Sequence, residues 1–220
     1  MSTLYLLRHG QPGPRHDYDQ LSPLGHTQTR LLGTHLAALP AAFQYAVSGT
    51  LRRQRESAAN ALSQFSSPPV LRTDARWNEF DFFHLYDELL PALRESDERF
   101  RDPETSQDLL DNVVMKAWLT GQCQYSGESW PAFSQRIAEV FDDTAAALSN
   151  GPILVFTSAA PTALALGRAL QLPGPEVNRL AGSIRHAAVN AIARVGGAWL
   201  LRHDNETLHL ASDPLLQTHR

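Results

Sequence analysis

The sequence is short of cysteine and of long apolar runs. Cys123 is the only cysteine among 220 residues, which excludes a disulfide within the chain and suits a reducing compartment. No run approaches the roughly 18 apolar residues of a membrane span, and the N-terminus reaches Arg8 too early for a signal peptide. We therefore expect a cytoplasmic protein that does not bind a membrane.

Lysine is also scarce, because Lys116 is the only one and the other basic residues are arginines. The formal net charge is -4, so we expect no nucleic-acid partner. The sequence lacks a Gly-x-x-x-x-Gly-Lys loop, a Gly-x-Gly-x-x-Gly fingerprint, and histidine or cysteine pairs at metal-ligand spacing. These absences predict a protein without a cofactor or a bound metal.

Short apolar runs alternate with helical segments along most of the chain. Strands are predicted at 3–7, 45–48, 70–73, 152–156, 187–195 and 198–203. Helices are predicted at 22–39, 50–65, 129–150 and 161–171, the first of them capped by Ser22-Pro23. This alternation predicts an α/β fold with three layers, α/β/α, and a mostly parallel central sheet.

Residues 80–127 interrupt the alternation, because they are polar and contain no predicted strand. Helical spacing recurs at 84–99 and 105–120. We interpret this stretch as a helical insertion over the active-site face of a single domain, residues 1–220. This insertion would select the substrate. The sequence does not identify what that substrate is. Its aromatic residues could line a pocket or simply pack: Phe82, Phe83, Tyr86 and Trp118.

The tripeptide Arg8-His9-Gly10 ends the first predicted strand, where α/β sheets bind their ligands. Phosphoryl transfer needs a nucleophile, cations that neutralise the phosphate oxygens, and an acid for the leaving oxygen. His9 can be the nucleophile and Arg8 a guanidinium clamp. Gly10 would let the backbone approach the anion closely. The tripeptide therefore predicts a phosphate site centred on His9.

Four stretches resemble the histidine phosphatase superfamily, also called the phosphoglycerate mutase-like family. They are residues 8–10, 18–25 with Gln28, 47–58, and 76–80. The resemblance extends over nearly the whole chain. It implies the fold of that family, a phosphohistidine intermediate on His9, and a small phosphate ester as the substrate.

The resemblance also implies roles for individual residues. Aligned on Leu51 and Ala58, the phosphate-binding arginine of the family falls on Arg53 and not on Arg52. Glu79 matches the glutamate that protonates the leaving group in the family. Asp81, two residues further on, is the alternative acid.

One position departs from the family pattern. The family has a second catalytic histidine after its fourth strand, and Ser158 stands there in this chain. A serine can donate one neutral hydrogen bond to a phosphoryl oxygen, but it brings no charge, and losing one preorganised donor typically costs about 10²–10³ in rate. Arg185, which precedes His186, is a candidate for supplying the missing charge. An ordinary surface Arg-His pair is the other interpretation.

Three functions are compatible with this set of residues. We expect a metal-independent phosphatase that acts on a small phosphate ester. A phospho-ligand binding protein with little turnover is the first alternative, favoured by Ser158, and a phosphomutase that uses the same site is the second. The oligomeric state stays open. The predicted site consists of His9, Glu79 and Ser158 as catalytic residues and Arg8, Arg53 and Arg185 as phosphate ligands.

Overall fold

The computed structural model describes residues 3–96, 100, 102, 107–122, 124–148 and 151–219, and Cys123 lies outside them. The chain divides into a sheet unit, Met1–Glu79 with Ile137–Arg220, and a helical unit, Phe80–Arg136. The helical unit begins where the insertion is predicted and ends at Arg136 rather than at 127. Within the described ranges, no helix has the length and apolarity to cross a membrane.

The sheet unit is built on six strands in the order β3-β2-β4-β1-β5-β6. The first four strands run parallel, while β5 runs antiparallel to β1 and β6 antiparallel to β5. The predicted strands are therefore confirmed, with small shifts at their ends. Their bounds are β1 Thr3–Arg8, β2 Tyr45–Ser48, β3 Leu71–Thr73, β4 Ile153–Thr157, β5 Val189–Val195 and β6 Ala198–Glu206.

The predicted helices are also found, and one further helix, α7, was not predicted. Its sequence contains two glycines and a proline, and Val177 is its only buried residue, so the helical periodicity is weak. At the start of α1, Ser22 accepts a hydrogen bond from the Gly25 N–H, as an N-cap serine does. The bounds are α1 Pro23–Ala37, α2 Arg52–Leu62, α3 Phe82–Ser96, α4 Gln107–Thr120, α5 Trp130–Ala147, α6 Ala159–Leu170 and α7 Gly174–Ser183.

Helices cover the sheet on both faces, which confirms the three-layer α/β/α prediction. On one face, α1 and α2 pack against Leu7, Leu154 and Phe156. On the other, α6 packs against α7 through Ala163 and Val177. Every residue of β4 is buried, as expected for a central parallel strand that is covered on both sides.

The helical unit has aromatic packing of its own. Phe80 stacks on Trp118 with ring centroids 4.5 Å apart, and Phe133 meets Phe80 edge to face at 5.4 Å. The Trp118 indole N–H donates to the Glu128 carbonyl oxygen at 3.0 Å. Trp118 is therefore a packing residue within this unit.

Gly33 allows α1 and α2 to pack closely. A Cβ built on Gly33 would lie 2.2 Å from the Ala61 carbonyl oxygen and 2.6 Å from Ala61 Cα. Both are backbone atoms of α2, so a methyl group could be admitted only if the two helices moved apart.

We predict that Gly33→Ala lowers the free energy of unfolding by about 1–3 kcal/mol, the usual cost of overpacking a rigid contact. The matched control is Gly182→Ala in α7, where an added Cβ meets nothing within 4 Å. That change should be neutral or stabilise by up to about 1 kcal/mol, because alanine favours helix. Denaturant unfolding of both variants checks the prediction, and equal stabilities would contradict it.

Candidate active site

The pairing of β1 with β4 sets the centre of the candidate site. Arg8 ends β1 and lies opposite Thr157, which ends β4. Because the two strands are parallel neighbours, His9 and Ser158 leave the same edge of the sheet side by side. The His9 N–H donates to the Thr157 carbonyl oxygen at 2.9 Å. Both side chains are buried, with 2% of His9 and 1% of Ser158 exposed.

His9 is held in one tautomer. Its Nδ1 lies 2.7 Å from the Gly10 carbonyl oxygen, which can only accept, so Nδ1 carries the proton. Burial, followed by the positive charges of Arg53 and Arg8, holds the pKa of His9 well below its usual value. The ring is therefore neutral near pH 7, and Nε2 presents a lone pair suited to nucleophilic attack.

Gly10 has a packing role that the sequence did not indicate. A Cβ on Gly10 would lie 2.5 Å from the Gly25 carbonyl oxygen and 2.9 Å from Thr29 Cγ2, both in α1. The Gly10 N–H donates to Ser57 Oγ at 3.1 Å. The missing side chain of Gly10 thus lets the loop after β1 pack against α1. That it also lets the backbone approach an anion stays a prediction.

In the first turn of α2, Arg53 is directed inward and Arg52 toward solvent. The side chain of Arg53 is 8% exposed, and its Nη1 donates to Asp19 Oδ1 at 2.8 Å. Its guanidinium also lies 5.1 Å from the centre of the Tyr18 ring. The side chain of Arg52 is 54% exposed and pairs with Glu56 at 2.7 Å. Of the two arginines, the structure directs Arg53 inward, and its role as the phosphate ligand stays a prediction.

Arg8 is buried, and it forms hydrogen bonds with residues near the C-terminus. Its Nη1 donates to the carbonyl oxygens of Ile184 and His219, the latter at 3.2 Å, and its Nη2 lies 3.1 Å from His186 Nε2. Because a guanidinium only donates, His186 Nε2 accepts and the ring is neutral. Burial, followed by the charge of Arg8, lowers the pKa of His186 to about 2.

The structure places His186, and not Arg185, beside the predicted nucleophile. The rings of His186 and His9 have centroids 5.9 Å apart. The Arg185 side chain is exposed, and its Nη1 donates to Gln217 Oε1 at 2.8 Å. Ile184 and His186 are buried, whereas the residue between them is exposed. The expectation that Arg185 reaches the phosphate site is therefore corrected.

Glu79 reaches the start of α6. Its Oε2 accepts the Ala160 N–H at 3.1 Å, in the first turn of the helix that follows Ser158. The structure thus brings Glu79 and Ser158 to one helix terminus. The alternative acid, Asp81, accepts the His84 N–H at 3.0 Å in the first turn of α3.

Two groups of residues near the site were missed by the sequence analysis. Gln54 is fully buried and donates from Nε2 to Ser158 Oγ at 2.9 Å. Its spacing to Ser57, Ala58 and Ala61 (i, i+3, i+4, i+7) is the signal that could have placed it on the inner face of α2.

The second group joins α1 to the C-terminal segment. Gln28 Nε2 donates to Thr218 Oγ1 at 2.9 Å and to the Leu216 carbonyl oxygen at 2.8 Å. Thr218 Oγ1 also lies 2.9 Å from His186 Nδ1, which carries the proton of that ring. Nothing in the sequence signals that this segment reaches Arg8.

Among the residues that the structure describes, no three histidine, cysteine, aspartate or glutamate side chains are grouped so that they could hold a metal ion. Arg53 and Arg8 place positive charge near His9, and both lower its pKa.

Comparison with protein families identifies the class of the chain. The model of the histidine phosphatase superfamily (branch 1) matches residues 4–207, so the chain belongs to that family. Membership supports phosphatase chemistry, the hydrolysis of phosphoric monoesters, as the class of activity. No curated protein matches the chain.

Solved structures of several proteins have the same fold. A mycobacterial glucosyl-3-phosphoglycerate phosphatase with inorganic phosphate has a TM-score of 0.65 at 19% identity, covering 95% of this chain and 99% of that one. A mutant phosphoserine phosphatase from Entamoeba histolytica in complex with phosphoserine has a TM-score of 0.65 at 17% identity, covering 96% and 100%. A phosphoglycerate mutase from Bacillus anthracis has a TM-score of 0.64 at 20% identity, covering 95% of each chain. At these identities the likeness establishes the fold and leaves the substrate open.

Two buried histidines, His9 and His186, and the partly buried His209 predict how stability changes with pH. Burial lowers the pKa of His9 and His186, and burial followed by the nearby His35 lowers the pKa of His209 to about 4. Between pH 6.5 and 4 the unfolded chain therefore binds protons that the folded chain does not bind. The free energy of unfolding should fall as pH falls through this window, by up to about 1.4 kcal/mol per pH unit for each histidine.

His209→Leu tests this prediction away from the candidate site. Its unfolding free energy should fall less steeply between pH 6.5 and 4 than that of the wild type, because one proton-binding group is gone from the unfolded chain. Leu208→Ala is the neighbouring control, at an exposed residue that does not titrate, and should keep the wild-type slope. An unchanged slope in His209→Leu would contradict the prediction.

Proposed function

We propose that the protein is a metal-independent phosphatase that hydrolyses a small phosphate ester through a phosphohistidine on His9. The observation that carries the proposal is the state of His9, which is buried, neutral and fixed with its proton on Nδ1. Two arginines near the ring, Arg8 and Arg53, provide the charge that a phosphoryl group needs.

In the proposed first step, His9 Nε2 attacks the phosphorus in line with the ester oxygen. The N–P bond forms as the P–O bond to the leaving group breaks, and Glu79 transfers a proton to the leaving oxygen. Arg8 and Arg53 hold the phosphoryl oxygens throughout. Because both arginines are buried, their hydrogen bonds to these oxygens act where little water competes.

In the second step, Glu79 takes a proton from a water molecule whose oxygen attacks the phosphorus. The N–P bond breaks, inorganic phosphate forms, and His9 returns to its starting tautomer. The Gly10 carbonyl oxygen accepts a hydrogen bond from Nδ1–H in both steps, so it stabilises the positive charge that develops on the ring.

A phospho-ligand binding protein with little turnover is the second candidate. The observation that favours it is Ser158, which provides no charge at the end of β4. A phosphomutase would use the same residues and would return the phosphoryl group to another hydroxyl. Product analysis separates the three, because only the phosphatase releases inorganic phosphate on every turnover.

We predict that the wild type releases phosphate from at least one member of a panel of small phosphate esters and that intact-mass measurement detects a phosphorylated protein. His9→Ala should abolish both, since it removes the nucleophile, while thermal unfolding stays cooperative. His16→Ala is the matched control at an exposed histidine and should keep both signals. Comparable turnover in His9→Ala would refute the mechanism.

Activity should also survive EDTA, because Arg8 and Arg53 place positive charge near His9. Activity that is lost on chelation and restored only by a divalent ion would refute the mechanism.

We predict that Arg53→Ala lowers kcat/KM at least about a hundredfold, as expected when a charge-assisted bond to a buried phosphoryl group is lost. Arg52→Ala is the control next to it. Its exposed ion pair with Glu56 should change kcat/KM less than about threefold, because such pairs contribute little. Equal losses in steady-state kinetics, or a greater loss at Arg52, would contradict the assignment.

A further inference from the structure

Gln54 lies beside the candidate site with its amide in a defined orientation. The side chain is fully buried, one residue after Arg53 in α2. Its Nε2 donates to the Trp77 carbonyl oxygen at 3.2 Å. A carbonyl oxygen cannot donate, so the NH₂ group, and not the amide oxygen, must face Trp77. The orientation of the amide therefore follows from the hydrogen-bond chemistry.

The same NH₂ group fixes the hydrogen-bonding role of Ser158. Gln54 Nε2 lies 2.9 Å from Ser158 Oγ, and since the amide nitrogen donates, the hydroxyl oxygen accepts. The hydroxyl proton of Ser158 must then point in another direction. Ser158 is 1% exposed, and within the part of the chain that the structure describes its proton has no acceptor.

The side chain of Ser158 does not make the capping hydrogen bond that a serine usually makes at its position. It is the N-cap residue of α6, where a serine side chain normally accepts a backbone N–H. Here the Glu79 carboxylate accepts the Ala160 N–H instead, and across the described residues the Ser158 side chain makes no capping bond. The hydroxyl group is therefore not needed to cap the helix.

The loop after β2 is shaped around Gln54. A Cβ on Gly49 would lie 1.9 Å from Gln54 Oε1 and 2.6 Å from Asn78 Oδ1. A glycine at position 49 is thus what leaves room for the buried amide. The amide of Gln54 therefore fills the space beside Gly49 in its present orientation.

We propose that Gln54 is a positioning residue that directs the hydroxyl proton of Ser158 toward the phosphoryl group bound at His9. The inference rests on the proposed function and adds to it a residue that has no role there. Ser158 stands beside His9 at the ends of β4 and β1, so the phosphoryl group is the acceptor that its geometry favours. The amide and the hydroxyl together form one neutral donor at the position where the family has a histidine.

A double-mutant cycle tests the coupling. Ser158→Ala removes the hydroxyl donor. Gln54→Leu keeps the approximate volume of the side chain but cannot orient the Ser158 hydroxyl group. We expect each change to lower kcat about a hundredfold, the low end of the cost of a lost preorganised donor. Ester and phosphate binding should weaken much less, by about threefold, the effect of one neutral hydrogen bond. The double variant should be no worse than the worse single one, because the two residues act as a unit.

Controls separate positioning from packing. Gln64→Leu makes the same substitution at an exposed position just after α2 and should leave kcat unchanged. Ser158→Thr keeps the hydroxyl and should retain most of the activity. Gln54→Met is a second variant without the amide, for use if Gln54→Leu unfolds. Losses that add up in the double variant would show that Gln54 acts through packing and would overturn the inference.

Binding of inorganic phosphate, measured by calorimetry on the same four proteins, separates this inference from the proposed function. If the wild type turns over no ester and forms no phosphorylated His9, the phosphatase proposal fails. The coupling of Gln54 to Ser158 is then tested by the affinity for inorganic phosphate. This affinity should be weaker in each single variant than in the wild type, and no weaker in the double variant than in the single ones. Equal affinity in all four proteins, or no binding by the wild type, would overturn the inference.

Discussion

The parallel pairing of β1 with β4 is the constraint on which the candidate site depends. It places Arg8 opposite Thr157, so that His9 and Ser158 emerge together at one edge of the sheet. Each strand is buried on both faces, and the helices that cover them supply the other groups. Arg53 comes from α2, and the Glu79 carboxylate accepts a backbone N–H in the first turn of α6. A shift of one residue in this pairing would separate His9 from Ser158 and turn their side chains to opposite faces.

Much of this arrangement could be predicted from the sequence, because buried parallel strands appear as continuous apolar runs and Arg8-His9-Gly10 follows such a run directly. Residues whose roles depend on tertiary contacts could not be predicted. Arg185 was proposed for its charge, whereas the sequence does not show that the chain turns His186 inward. The spacing of Gln54 along α2 indicates the inner face of the helix, but the sequence does not show that its amide contacts Ser158. The role of the C-terminal segment follows from contacts between the two ends of the chain.

The two arginines that we propose as phosphate ligands are held in different ways. Arg53 donates to the carboxylate of Asp19, an anion that orients the guanidinium and also offsets part of its charge. Arg8 donates to two carbonyl oxygens and to a neutral imidazole, that of His186. His9 stays neutral between the two because protonation would add a third positive charge in a buried space. In the proposed mechanism the arginines therefore keep the nucleophile neutral and also bind the anion.

The neutral pair of Gln54 and Ser158 affects binding and chemistry differently. A bound phosphate ester already carries its negative charge, so Arg8 and Arg53 can hold it without a third cation. In the transition state, charge is redistributed over the phosphoryl oxygens and the leaving oxygen, and only donors that are fixed beforehand stabilise it without reorganisation. A serine whose proton is oriented by a buried amide meets that requirement, although it is weaker than an imidazolium. A serine at the position where the resemblance implies a histidine should therefore reduce the rate of phosphoryl transfer more than the affinity for the ester.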